Sequence, residues 1–188
     1  MIRNFGTVRT LLVVACLVTP ARARAQTTQL SGHGTVEYRM VHKLHEVVGK
    51  STAMVVRGTV DGTGLKVMAR AQVQTFDSAN TNRDEHMMET LEGDKYPWAS
   101  VRAVLAGFKL PTTPGTSKIH VDAAVELHGV SVNHPIDLTL TTKDANHFHV
   151  GFEFKEKLTE HKIERPSLLF VPVDDDITIV GSADVESR

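Results

Sequence analysis

Cysteine is nearly absent from this chain of 188 residues. The one thiol, Cys16, lies in an N-terminal apolar stretch. No intrachain disulfide can form, and a chain from which that stretch is removed has no thiol for a nucleophile or a Cys-ligated metal centre. Long hydrophobic runs are missing as well. The apolar run Leu11–Val18 is too short to span a bilayer. Positive charge is not in excess: the formal charge is −1, with 21 Lys and Arg against 22 Asp and Glu. Residues 1–25 hold four of those basic residues and no acidic one, so 26–188 carry 17 against 22, a formal charge of −5. An acidic chain lacks the basic stripe that a nucleic-acid partner requires. There is no Gly-x-Ser-x-Gly and no phosphate-cradling Gly loop, so no nucleophile or nucleotide motif is present. Asp174-Asp175-Asp176 is a run of carboxylates in an expected turn and reads as a solvated loop. No catalytic residue is assigned, and the expectation is a protein that is not an enzyme.

The N-terminus has the three parts of a secretory signal. Arg3 and Arg9 precede the run Leu11–Val18, and Ala23-Arg24-Ala25 follows as an A-x-A site, which predicts cleavage before Gln26. An alternative is lipoprotein processing at Cys16, but only about four apolar residues would precede that thiol. Residues 26–188 are enough for one compact domain, which must be stabilised by its core without disulfides. The expected location is the periplasm or outside the cell.

From Gly34 onward the chain alternates apolar and polar residues. Strands are expected over 34–48 and 52–60, with Gly49-Lys50-Ser51 as their turn. Asp61-Gly62-Thr63-Gly64 is a hairpin signal. Leu65, Val67, Ala69, Ala71 and Val73 then share one face of a strand. Further strands are expected over 98–110, 118–128, 132–142, 148–155 and from Ile177 to Val185, with an irregular stretch from Glu164 to Asp176. About eight strands with clean alternation imply antiparallel pairing with one wet face. Periodicity admits either a two-sheet sandwich or a closed barrel wide enough for one small ligand.

The segment from Phe76 to Trp98 breaks the alternation and reads as one short helical insert. Asn82 is the expected N-cap, with Glu85 three residues on completing a capping box. Met87, Met88 and Leu91 form its apolar face, Gly93 ends it and Pro97 prevents its continuing. A Met-rich helix between long strands needs a surface to cover, and the mouth of a barrel would serve. Met87 and Met88 read equally as core or as contacts for a long apolar ligand, to which Met adapts. Arg83 either bonds to nearby backbone or meets a phosphate head group, which a guanidinium fits bidentately.

Phe76-Asp77-Ser78-Ala79-Asn80-Thr81-Asn82-Arg83-Asp84-Glu85-His86-Met87, with Tyr96-Pro97 close behind, resembles the signature of the YceI-like family. Val36–Gly49 is similar to that family's His-bearing first strand, and Val125-Glu126-Leu127-His128-Gly129-Val130-Ser131 to a second stretch of it. The sequence departs from the pattern at Lys50-Ser51 and at Arg165-Pro166-Ser167-Leu168. The resemblance selects the barrel: all-β, an eight-stranded antiparallel lipocalin-like β-barrel with one helical insert. It implies a polyisoprenoid or similar long-chain lipid as the ligand, held for storage or transport, with no other cofactor. Transient membrane contact and a homodimer are compatible with it. The ligand-binding residues expected on this basis are His45, Phe76, Arg83, Met87, Met88, Leu91 and Trp98.

Ten histidines raise a second reading, a metal-binding protein or metal-assisted enzyme. His42 and His45, three apart on one expected strand, would face opposite ways. His147 and His149 share a face and have a workable metal spacing, but that face is opposite Phe148, Val150, Phe152 and Phe154 and is expected to be wet. His33, His120, His128, His134 and His161 are read as structural or solvated, and no metal site is assigned.

Overall fold

Two long strands begin the fold, β1 (Thr28–His42) and β2 (His45–Asp61). The computed structural model describes residues 27–42, 45–165, 167–168 and 171–188. The expected signal segment 1–25, Cys16 included, lies outside the described residues. The chain continues through β3 (Gly64–Gln72), a 3-10 turn (Val73–Thr75), helix α1 (Thr81–Thr90) and β4 (Trp98–Ala106). Then follow β5 (Gly115–Leu127), β6 (Val130–Thr142), β7 (His147–Lys157), a second 3-10 turn (Leu158–His161), the short strands β8 (Ser167–Leu168) and β9 (Val171–Pro172), and β10 (Asp176–Ser187). Eight strands close into a barrel in the order β1-β10-β7-β6-β5-β4-β3-β2, each antiparallel to its neighbours. β8 and β9 pair with each other inside the β7–β10 connection.

Alternation places the core. Ala103, Val121, Ala123, Val125, Ile136 and Phe154 are all buried in one cluster, and Leu30, Val56, Leu140, Phe148 and Val185 belong to another. The face of β3 assigned from Leu65 to Val73 is the inward one, since Leu65, Val67, Ala69 and Ala71 pack into the interior.

The first turn is corrected. Gly49-Lys50-Ser51 lies inside β2, since β1 ends at His42 and β2 begins at His45. Gly34 pairs with Met54 but Val36 pairs with Ser51, so β2 carries one extra residue there, a β-bulge. The inward phase of β2 therefore switches from Val47 and Ser51 to Met54 and Val56, and one strand reads as two. His42 and His45 are thus not on one strand but are register partners across the connection.

The helix ends are corrected too. Asn80, not Asn82, is the N-cap: its backbone is extended and its side chain accepts from the Arg83 N–H at 3.1 Å. Asn82 lies within the first turn. Glu92 adopts the left-handed conformation after the last helical residue, at φ 44°. Gly93 follows, with the Met88 thioether lying over it, so that a Cβ there would displace the Met88 methyl.

Candidate functional site

At the end of the barrel that bears α1 the interior opens into a cavity of about 810 Å³. Its wall is the inward phase of seven strands, with Val36 and Tyr38 from β1, Met54 from β2, Val101 from β4, Val125 from β5, Phe152 and Phe154 from β7 and Ile179 from β10. Ala69, Ala71 and Ala99 supply the room. Ala71 and Ala99 are register partners, so the wall beneath α1 carries two methyl groups side by side. A smaller chamber of about 140 Å³ lies toward the other end, where Phe108 and Leu110 line it after β4. Met54, Ala69, Val101, Phe152 and Phe154 line both chambers and form the waist between them. Gly181 is required at this waist, because a Cβ would meet the Phe152 ring at 2.3 Å.

α1 forms the roof. Arg83, Met87, Thr90 and Leu91 line the cavity, and Asn82, Glu85, His86 and Glu89 form a polar rim. No residue of the helix is buried. A helix of ten residues is marginal unless it buries an apolar face against something, yet Met87 is only half-buried over the cavity, and the one firm apolar contact is that of Leu91, just after the helix, with the cluster of Leu158, Ile163, Val173 and Ile177. What holds the helix is its leading loop. Ser78 is buried, its hydroxyl donates to Asp84 and accepts from Arg83 Nε at 2.8 Å, and Arg83 also donates to the Ser78 carbonyl. Asp77 and Lys50 exchange backbone hydrogen bonds at 2.9 and 3.0 Å, which ties that loop to β2 beyond its bulge. Ser51, fully buried, meets the Thr75 hydroxyl at 2.7 Å.

The seven expected ligand residues divide. Phe76, Arg83, Met87 and Leu91 come together around the cavity. Phe76 sits 5.8 Å from the Tyr38 ring, centroid to centroid. Met88, Trp98 and His45 do not line it. Met88 packs on Gly93, Trp98 is on the outer face with the Arg70 guanidinium 4.2 Å above its ring, and His45 is exposed at the start of β2. Met87 and Met88 are about 100° apart around a helix, so only one of them can point into the barrel. Tyr38 and Ala99 are not among the expected ligand residues, and Ala71 is expected only as one of the shared face of its strand; inward phase on their strands is the signal that finds them. Burial pushes the Tyr38 phenol above its ordinary pKa, with the nearby Asp84 carboxylate acting in the same direction.

A second polar cluster lies at a seam of the wall. β6 and β7 pair only from Leu138 opposite Phe152 to Thr142 opposite Phe148, and beyond that the strands part. The 3-10 turn 158–161 closes the gap. His161 is fully buried there, with Nδ1 2.9 Å from the Val130 carbonyl of β6. Glu156, 1% exposed, continues the inward phase of β7 after Phe154. Its Oε1 is 2.9 Å from His134 Nε2 and 3.1 Å from His161 Nε2. Neither contact has hydrogen-bond geometry, and both Glu156 oxygens and His161 Nε2 are buried without a hydrogen bond among the described residues. Burial opposes charge on His161, but Glu156 and the Val130 carbonyl outweigh it and raise its pKa. His134 Nε2 also contacts Glu160 Oε2 at 3.3 Å. His134 and His161, far apart in the sequence, are brought by the fold to one carboxylate. A carboxylate in line with Phe148, Val150, Phe152 and Phe154 was the signal in the sequence. The pair His147 and His149 is exposed, and each ring bonds its own carboxylate, Asp144 at 2.8 Å and Asp184 at 3.1 Å.

The YceI-like domain model matches residues 25–185. This chain belongs to the YceI-like family. No curated protein sequence matches it. Among solved structures the YceI-like barrel is similar to a polyisoprenoid-binding domain from Saccharophagus degradans, with a TM-score of 0.69 at 14% identity, over 86% of this chain and 98% of that one. It is also similar to BcnA of Burkholderia cenocepacia, with a TM-score of 0.65 at 12% identity, over 80% and 95%. A YceI protein of Campylobacter jejuni follows, with a TM-score of 0.59 at 16% identity, over 79% and 89%. At these identities the likeness is one of fold.

Proposed function

We propose that the chain binds a long-chain lipid of the polyisoprenoid class in the 810 Å³ cavity and carries or stores it in the periplasm after cleavage before Gln26. The observation that carries this reading is the thinly packed roof over the cavity: Met87 lines it half-buried, no residue of α1 is fully buried, and Leu91, just after the helix, has its packing only at the cavity edge against the Leu158–Ile163 cluster. A bound tail supplies the missing packing. At roughly 30 Å³ per heavy atom, the share of a water molecule in the liquid, 810 Å³ takes on the order of two to three dozen heavy atoms. Burying about 400 Å² of tail at about 25 cal/mol per Å² gives on the order of 10 kcal/mol before the costs of association. Such a site selects by length and shape, and the rim of Asn82, Glu85, His86 and Glu89 meets a polar head. The polyisoprenoid-binding domain of Saccharophagus degradans supports the choice of ligand class. No bond is made or broken in this function.

The test is a titration of delipidated protein with prenols of increasing length, followed by native mass spectrometry. Affinity should rise with length until the cavity is full and then level off. Absence of binding at every length, or affinity independent of length, would sink the proposal. N-terminal sequencing of periplasmic protein tests the export half; a chain beginning at acylated Cys16 contradicts it.

A further inference from the structure

We propose that His134, Glu156 and Glu160, with the buried His161 beside Glu156, form a site for a divalent transition-metal ion of the zinc class, which staples the barrel where β6 and β7 part. One ligand atom from each of His134, Glu156 and Glu160 lies within 4.8 Å of the other two. Tetrahedral zinc with bonds of about 2.0–2.2 Å sets its ligand atoms about 3.3–3.6 Å apart. The contacts here, 2.9 and 3.3 Å from His134 Nε2 to the two carboxylates, need only small outward shifts, while His161 Nε2, 3.1 Å from Glu156, stands outside this three-residue group and supports Glu156 from behind.

Three features distinguish this cluster from an ordinary ion-paired patch. Glu156 is almost fully buried with neither oxygen hydrogen-bonded, and an unpaired buried carboxylate is costly. Two imidazole nitrogens converge on its Oε1 without hydrogen-bond geometry, an arrangement that suits donors around a common cation. The Nδ1 of His161 is spent on the Val130 carbonyl, which leaves Nε2 facing Glu156, and metal-ligating carboxylates are characteristically held by such a partner behind them. Imidazole with carboxylate suits zinc and its first-row neighbours. Glu160 and His134 are the more exposed members, with side chains 42% and 23% accessible, and give the ion a way in.

The site would do mechanical work. It joins β6 through His134, β7 through Glu156 and the 3-10 turn through Glu160 and His161, across the stretch where strand pairing has ended. Leu158 at the start of the turn and Ile163 just after it line the large cavity, so the ion would also fix part of its wall.

The experiment uses the full chain without a polyhistidine tag, stripped by chelator and dialysed against Zn²⁺ alone. Bound metal is counted by elemental analysis and the melt is recorded with and without Zn²⁺. One equivalent is expected, with a rise in Tm of about 5 °C or more when Zn²⁺ exceeds its Kd a hundredfold. His134→Ala and Glu160→Gln, at the accessible edge, should each lower affinity at least tenfold and abolish the shift in Tm. The double variant His147→Ala/His149→Ala should keep both. Lack of a stoichiometric ion in the parent would mean a buried ion pair only and overturn the proposal. Retention of the ion by His134→Ala and Glu160→Gln, or its loss with the exposed pair, would overturn it equally.

Discussion

Ser78 and Asp84 are joined twice: the Ser78 N–H lies 3.1 Å from Asp84 Oδ1, and the Ser78 hydroxyl donates to the same oxygen. Arg83 closes on Ser78 from the other side. The most distinctive motif of the sequence is therefore a clamp that fixes a helix with no fully buried residue of its own. Ser78→Ala removes the hydroxyl from between the two charged side chains. The expected cost is about 1–2 kcal/mol, which lowers Tm by about 2–4 °C per kcal/mol in a domain of this size. Amide exchange in α1 should accelerate while that in β5 and β6 is unchanged. Equal acceleration throughout would mean that Ser78 supports the barrel rather than the roof.

Met87 and Met88 separate two roles within one turn of helix. Met87→Asp places a carboxylate over the apolar cavity, so retained lipid should fall severalfold with little change in Tm. Met88→Asp disturbs the contact with Gly93 and should lower Tm while leaving more lipid bound than Met87→Asp does. The comparison is a thermal melt and an extractable-lipid assay on each variant. The reverse ranking in lipid content would rotate the helix relative to the cavity.

Gly49 leaves room for the Tyr38 ring, whose nearest atom would lie 2.3 Å from a Cβ at position 49. Tyr38 is buried and is the register partner of Gly49. Gly49→Ala must push the ring toward Phe76 and the cavity, and overpacking of this kind costs about 1–3 kcal/mol. Chemical denaturation measures it. The double variant Gly49→Ala/Tyr38→Phe should not recover the loss, because the ring carbons clash as well as the hydroxyl.

Tyr38 also sets a pH dependence. Burial raises its pKa above the usual value of about 10. The folded state then holds a proton that the unfolded state has lost, so this contribution to stability is complete below the unfolded value. It is lost as pH rises from about 10 through the folded value. A near-ultraviolet pH titration should show a late phenolate component that Tyr38→Phe abolishes. Ionisation of Tyr38 in the ordinary phenol range would contradict its burial.

Much of the barrel is legible in the sequence because alternation and burial are the same fact for a closed antiparallel sheet. Leu65 to Val73 and Phe148 to Phe154 point inward as their period requires. What was lost was lost to backbone geometry. The bulge between Ser51 and Met54 shifts the phase of β2, and turn-like Gly49-Lys50-Ser51 sits beside it, so one long strand read as two. Asn80 and Asn82 are equal as residue types, and only the extended backbone of Asn80 makes it the cap. For the site, an apolar helix face is visible in the sequence, but its rotation is not, and Met87 could not be told from Met88. Trp98 reads as a ligand contact because it closes the helical insert, yet its phase in β4, opposite Ala99 and Val101, sets it outside. The seam between β6 and β7 leaves no trace in either strand, apart from Glu156 continuing a phenylalanine face.

The central claim is that a lipid tail occupies the space beneath α1. Ala99→Trp fills that space from the wall next to Ala71 without touching the helix clamp or the strand ladder. The deciding measurement is the long-chain lipid extracted per mole of purified protein, parent against Ala99→Trp, with thermal melts alongside. The account predicts near-stoichiometric lipid in the parent and at least a tenfold loss in a variant that still melts cooperatively. Equal lipid in the two folded proteins would contradict it.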